Sequence, residues 1–282
     1  MSYIMHRLEN YINVKALVSA FEAVRESDFV FSGEMHNFWE MVYAADGKIG
    51  ITRDDNVFIL NKGEIIFHKP MEFHRLWSEG GNSAKIMVFA FDADGEGLKL
   101  LENGIFRIEL KDEGLLREIL KHVEAVFKGK DMFTTEDYEI PESQSRQLIK
   151  IYLEQFMISV LNSANAKSSQ KKTASSNNYN TIINKMKENV YNSLSVEKLA
   201  KMCNLSVSNL KKIFKIYSGE GIMHYFNRMK IYEAINLMKT DLSIGEISDM
   251  LSYSGQDYFT VAFKRETGTS PTEYRRNFIN SD

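Results

Sequence analysis

Two groups of residues combine side-chain types and spacings that could do chemistry. The first lies in the last hundred residues. Ser208, Lys211, Lys212 and Lys215 recur at i, i+3, i+4 and i+7, which places them on one helical face, with Leu210, Ile213 and Phe214 on the opposite one. Together with Ser206 and Asn209 at the start of the same segment, this face is polar and strongly positive. A second segment repeats the design: Gln256, Asp257, Thr260, Val261 and Lys264 lie outward of Phe259, Ala262 and Phe263, with Ser254 just ahead. An α-helix fits the major groove of double-stranded DNA, where Gln and Lys bond base edges and Ser, Thr and Lys hold phosphates. These eleven polar residues, Ser206, Ser208, Asn209, Lys211, Lys212, Lys215, Ser254, Gln256, Asp257, Thr260 and Lys264, are the candidate DNA contacts.

The second group lies in the first half. His36 and Glu40 share parity on a candidate strand and could point with His74 into the interior. Imidazole and carboxylate donors suit either a divalent metal or polar contacts to a small effector. Alternatively, His68, His74 and Arg75 around Pro70 could bond an anionic or hydroxylated ligand, or be surface rim residues with no such role. No Ser/His/Asp set, Gly-rich phosphate loop or P-loop accompanies them, so no catalytic residue is expected.

The elements that must position these residues are of two kinds. From Leu194 to Gly219 and from Leu242 to Gly268 the chain repeats itself. Leu194 through Ala200 matches Leu242 through Ser248 at an offset of 48, whereas Leu210, Phe214, Lys215 and Gly219 match Phe259, Phe263, Lys264 and Gly268 at 49. One residue has been added in the second turn, as expected of two copies of one helix-turn-helix unit. Ser195, Ser206, Ser243 and Ser254 are placed as N-caps, and only helical periodicity occurs in this half. Cys203 falls at an inward turn position as core filling.

From about Phe29 to Asp92 short apolar runs are broken by Gly, Asn and Asp, the pattern of a sandwich or barrel. Phe38 to Tyr43, Val57 to Leu60, Glu64 to Phe67 and Ile86 to Phe91 are the expected strands. Gly114 to Lys128 and Ser143 to Leu161 follow as two amphipathic helices. Ser, Asn, Ala, Lys and Gln then replace nearly all apolar residues from Asn162 to Asn178, which predicts a flexible linker. The expected architecture is thus an all-β barrel with two helices over 1–161, a linker over 162–178, and an all-α DNA-binding domain over 179–282.

Length and composition agree with two globular domains: 282 residues, 44% hydrophobic and 26% charged. Residues 180–282 hold 14 Lys and Arg against 11 Asp and Glu, and the preceding part 21 against 27, so the mildly basic end is the one suited to a polyanion. No run of about 18 apolar residues suggests a membrane span. The start carries no export signal, and the single cysteine allows no internal disulfide, so a cytoplasmic protein is expected.

The C-terminal region resembles the AraC/XylS transcription regulators, whose DNA-binding module is two helix-turn-helix units bridged by a long helix. The resemblance runs from Asn180 to Arg276 and is carried most specifically by Ser243 to Ser248, Tyr253 to Phe259, Phe263 to Pro271 and Tyr274-Arg275. It places the bridging helix at Met223 to Lys239. Ser252 stands where the family usually has Gly, and Val261 where it often has Arg. The family often carries a cupin-like sensor domain. Here Glu34, His36 and Glu40 before Gly47, then Pro70 and His74, follow the order of the two cupin motifs, with Glu34 where metal-binding cupins often have a histidine.

The resemblance implies a metal-free effector pocket and no cofactor. It also implies a small-molecule effector such as a sugar, promoter or operator DNA, a homodimer formed through the two helices after the barrel, whose apolar stripes could equally pack on the barrel itself, and RNA polymerase as a partner where the protein activates. The alternatives are a metal-dependent cupin enzyme with a helical appendage and a protein-interaction module.

Overall fold

The computed structural model describes residues 3–54, 56–102, 104–140, 143–163 and 174–276. They form two compact units, one of strands followed by two helices and one mainly helical.

Eight strands build the first unit: β1 (Asn13–Arg25), β2 (Trp39–Asp46), β3 (Lys48–Arg53), β4 (Asn56–Asn61), β5 (Glu64–His68), β6 (His74–Ser78), β7 (Ala84–Asp94) and β8 (Ile105–Arg107). They pair into a five-stranded sheet, β1-β7-β2-β5-β8, and a three-stranded sheet, β4-β3-β6. The domain is cupin-like, but its two sheets remain separate and do not close into the single barrel expected. Alternation along β2 explains the layering. Trp39, Met41 and Tyr43 pack toward helices α1 (Leu110–Phe127) and α2 (Gln144–Asn162), joined by Leu116, Ile119, Val123, Leu153, Phe156 and Val160. Val42 and Ala44 face the other sheet and meet Ile49, Ile51, Ile66 and Leu76.

The apolar stripes of α1 and α2 are therefore largely spent on the sheet, although Ile151 and Ile158 of α2 stay partly exposed. The four anticipated strands are present. β1 escapes a parity reading because bulges between Val14 and Ala16 and between Leu17 and Ser19 break its alternation.

The second unit contains α3 (Ala174–Lys187), α4 (Val196–Met202), α5 (Val207–Ser218), α6 (Ile222–Leu237), α7 (Ile244–Met250), α8 (Gln256–Thr267) and α9 (Pro271–Tyr274). Helix α3 begins inside the segment expected to be linker, of which 164–173 lie outside the described residues. Its Ser- and Asn-rich first turns have poor helix propensity. Tyr179, Ile182, Ile183 and Met186 nonetheless form a fully buried stripe, and packing of that stripe outweighs propensity.

The repeat is visible in the backbone. α4 and α7 each have seven residues, and α5 and α8 twelve. Asn204 and Ser252 take the left-handed conformation at equivalent turn positions, φ 55° and 52°, and Gly219 and Gly268 end the second helices at φ 75° and 80°. The extra residue falls just before α8, whose N-cap is Gly255; Ser254, expected to cap, does not. Among the described residues no helix is long and apolar enough to cross a membrane.

Candidate functional site

In each helix-turn-helix unit a serine starts the first helix. The Ser195 hydroxyl accepts from the Lys198 amide and the Ser243 hydroxyl from the Glu246 amide, the latter closed by Glu246 into a capping box. Leu199 and Ile247 are fully buried, and the small Ala200 and Ser248 beside them let the second helix approach. That helix buries Leu210, Ile213 and Phe214 in the first unit, and Phe259, Ala262 and Phe263 in the second. The Tyr253 ring packs on Phe259 and the Tyr274 ring on Phe263.

The outward faces are as expected. Ser206, Ser208, Asn209, Lys211, Lys212, Lys215, Ser254, Gln256, Asp257 and Lys264 are exposed, and Thr260 is half-buried. Three of these side chains already have work inside the chain. The Ser206 hydroxyl caps α5 through the Asn209 amide, Lys215 Nζ donates 2.5 Å to the Gly219 carbonyl, and Thr260 Oγ1 donates 2.8 Å to the Gln256 carbonyl. Lys211 and Lys212, with Lys215, line a groove between α5 and the start of α6.

In the first unit the structure gathers a polar cluster at one end of the space between the sheets. Glu40 lies opposite His68 in the β2–β5 ladder, and Arg53 opposite His74 in the β3–β6 ladder, so strand ends from both sheets converge. His36 is not on a strand, contrary to the parity reading; it precedes β2, and its ring stacks on Phe38. Glu34 reaches the cluster because its backbone bridges that of His74 through a reciprocal pair of 3.0 Å hydrogen bonds.

His36 Nε2 is 3.8 Å from a Glu40 oxygen and 4.0 Å from Glu34. His74 Nε2 is 3.2 Å from Glu40 and 3.6 Å from Glu34. All four residues offer donor atoms within 4.8 Å of one another, and these residues could hold a metal ion. His68 and His74 are fully buried and Arg75 nearly so, which corrects their reading as rim residues. His68 stacks on His74 with centroids 4.3 Å apart, and its Nδ1 lies 3.0 Å from Glu72.

The electrostatics follow from this crowding. Burial would raise the Glu40 carboxyl, but the charge of His74 and the neighbouring imidazoles hold it well below the usual range. Burial would lower His74, yet the Glu40 charge and the carboxylates beside the ring raise it to about 10. Burial, together with the charge of His74, pushes His68 well down, so it stays neutral.

Sequence reasoning selected His36, Glu40 and His74, and the structure brings them together. Glu34 was placed in the cupin motif order but not among the effector residues. Glu72 was missed, although it lies four residues after His68 and two before His74.

The model of the AraC-like ligand binding domain matches residues 17–123, and that of a helix-turn-helix domain matches residues 199–277. Over 100 residues the chain is 27% identical to the HTH-type transcriptional activator RhaR of Pectobacterium carotovorum subsp. carotovorum, a match that spans 35% of this chain and 35% of that relative's length. It is 26% identical over 257 residues to the HTH-type transcriptional regulator YfiF of Bacillus subtilis, covering 87% of this chain and 79% of the relative. The crystal structure of ToxT from Vibrio cholerae O395 aligns over 97% of this chain and 100% of its own, with 17% identity and a TM-score of 0.39. Matched in both of its halves, the chain belongs to the AraC family of transcription regulators.

Proposed function

We propose that the protein is a sequence-specific DNA-binding transcription regulator, acting in the cytoplasm, whose first unit binds a small-molecule effector. The observation that carries this reading is the pair of exposed polar faces on α5 and α8, each the second helix of its own helix-turn-helix unit. Ser208, Asn209, Lys211, Lys212, Gln256, Asp257 and Lys264 meet DNA, while Ser206, Lys215 and Thr260 divide their side chains between DNA and the helix ends they already brace. The effector domain is assigned to 1–161, and the DNA-binding domain starts with α3. His36, Glu40 and His74 contact the effector. A homodimer through α2, where Ile151 and Ile158 are partly exposed, would present two copies of the DNA-binding domain, and RNA polymerase is the partner where the outcome is activation. No catalytic role is assigned to any residue.

Effector control requires different effector affinities in the two DNA-binding states. Genome-wide binding of the tagged protein, followed by anisotropy titrations on the recovered promoter fragments, tests the reading. Binding should be confined to discrete sites and weaken steeply with salt, because each neutralised phosphate releases counterion. Absence of discrete sites, or salt-insensitive binding, would overturn it.

A further inference from the structure

We propose that the first unit holds one divalent transition-metal ion, bound by His36 Nε2, His74 Nε2 and the carboxylates of Glu34 and Glu40. The decisive observation is which way the two imidazoles are wired. His36 Nδ1 lies 3.1 Å from the carbonyl oxygen of Phe38, and His74 Nδ1 lies 3.2 Å from that of Glu72. A carbonyl oxygen only accepts, so both Nδ1 atoms carry a hydrogen and both Nε2 atoms face the two carboxylates, where a bound ion takes the place of any proton on His74. This is the tautomer that a metal-bound imidazole needs, with the outer nitrogen anchored to the backbone. The buried Nε2 atoms of His36 and His74 find no aligned hydrogen-bond partner, although carboxylate oxygens stand 3.2 to 4.0 Å away. Two imidazole nitrogens and two carboxylates facing one point, all within 4.8 Å of one another, make a cation's environment.

The spacing agrees. Ligands about 2.1 Å from one ion stand roughly 3 Å apart when adjacent and about 4.2 Å apart when opposite. The separations here need only slight contraction to meet that. With the ion bound, two carboxylates and two neutral imidazoles carry two negative charges, which one divalent ion balances. The nitrogen ligands favour zinc, iron(II) or nickel over calcium and magnesium, the two carboxylates also admit manganese, and the lack of a thiolate disfavours copper(I). Three ligands are fixed by packing: His74 is fully buried, and the Glu40 and His36 side chains are 9% and 12% exposed. Glu34 is 48% exposed and so forms the side from which the ion enters and where an oxygen-bearing ligand could reach it. His68, stacked on His74, and Glu72, whose carbonyl holds His74 Nδ1, are positioning residues.

The test is titration of chelator-treated full-length protein with Co2+, then Zn2+ and Mn2+. One equivalent of Co2+ should give ligand-field absorption in the visible, and Zn2+ should displace it. His36→Ala and His74→Ala should each weaken Co2+ binding by about 100-fold or more, while His122→Ala, on α1, leaves it unchanged. Should either cluster variant fail to fold, pulsed EPR of the Mn2+-loaded native protein decides, since two coordinated imidazoles give a nitrogen coupling that surface carboxylates do not. Absence of one-equivalent binding at micromolar metal, binding indifferent to the two histidines, or a Mn2+ spectrum without nitrogen coupling would overturn the proposal. None of these results bears on DNA binding, which is measured separately.

Discussion

Lys230 Nζ, in the middle of the bridging helix α6, donates a 2.6 Å hydrogen bond to the carbonyl of Leu251, the residue that ends α7. The ammonium lies 5.2 Å from the ring centre of Phe226 and 5.6 Å from that of Tyr253. One side chain thereby couples the long helix to the turn of the second helix-turn-helix unit, as a cation at the negative end of a helix. Lys230→Met keeps the apolar stem but removes the donor, and should cost about 1 to 3 kcal/mol in urea denaturation. A variant as stable as the parent would show that the hydrogen bond contributes nothing net.

The same lysine makes stability depend on pH. Burial lowers its pKa from the ordinary 10.5 to about 8, so it is charged at neutral pH at some cost. Between pH 8 and 10.5 the unfolded chain binds the proton that the folded chain has released, and stability rises with pH. The contribution of this group is fully present above 10.5 and is lost as pH falls through 8. Subtracting the denaturation profile of Lys230→Met from that of the parent should leave a difference that climbs across this window; a flat difference contradicts the assignment.

Ser252 answers why a serine can stand where the family usually has glycine. Its φ of 52° is costly for a residue with a Cβ, and its hydroxyl donates 2.6 Å to the Tyr191 carbonyl in compensation. Ser252→Ala keeps the strain and loses the bond, so it should destabilise by about 1 kcal/mol. Ser252→Gly loses both and should be within about 0.5 kcal/mol of the parent. Thermal melts that rank alanine equal to or above glycine would refute this balance.

The two serines ahead of α7 and α8 should differ. Ser243→Ala breaks a capping box and should cost about 1 kcal/mol, whereas Ser254→Ala removes no cap and should stay within about 0.5 kcal/mol. Equal losses would mean that Ser254 caps α8 after all.

On the proposed DNA face, Lys212→Ala should weaken binding by about 1 to 3 kcal/mol if it reaches a guanine edge, and Gln256→Ala should relax selectivity at one base position. Anisotropy titrations in which neither substitution changes affinity would remove α5 and α8 as the reading helices.

The helical half was legible in the sequence because its information is local. A 3.6-residue period and serine caps act within a few residues, the repeat shows each such local pattern twice, and α4, α5, α7 and α8 follow them almost to the residue. The strands were legible where alternation is unbroken, as in β2 and β5, and not in β1, whose two bulges reverse the parity. The α3 start was hidden because its buried stripe follows a polar turn that only packing stabilises.

The polar cluster was half legible. Residue type picked out His36, Glu40 and His74, but their depth and the inclusion of Glu34 depend on strand ends from two sheets meeting. That meeting is a long-range event, and no short window of sequence contains it. Sequence alone thus determined the pair of outward polar faces on α5 and α8, since helix faces are set by neighbours three and four residues away. Only the tertiary structure decided that two imidazoles and two carboxylates converge, since an isolated backbone bridge brings Glu34, and the facing of the two sheets brings Glu40, against His74.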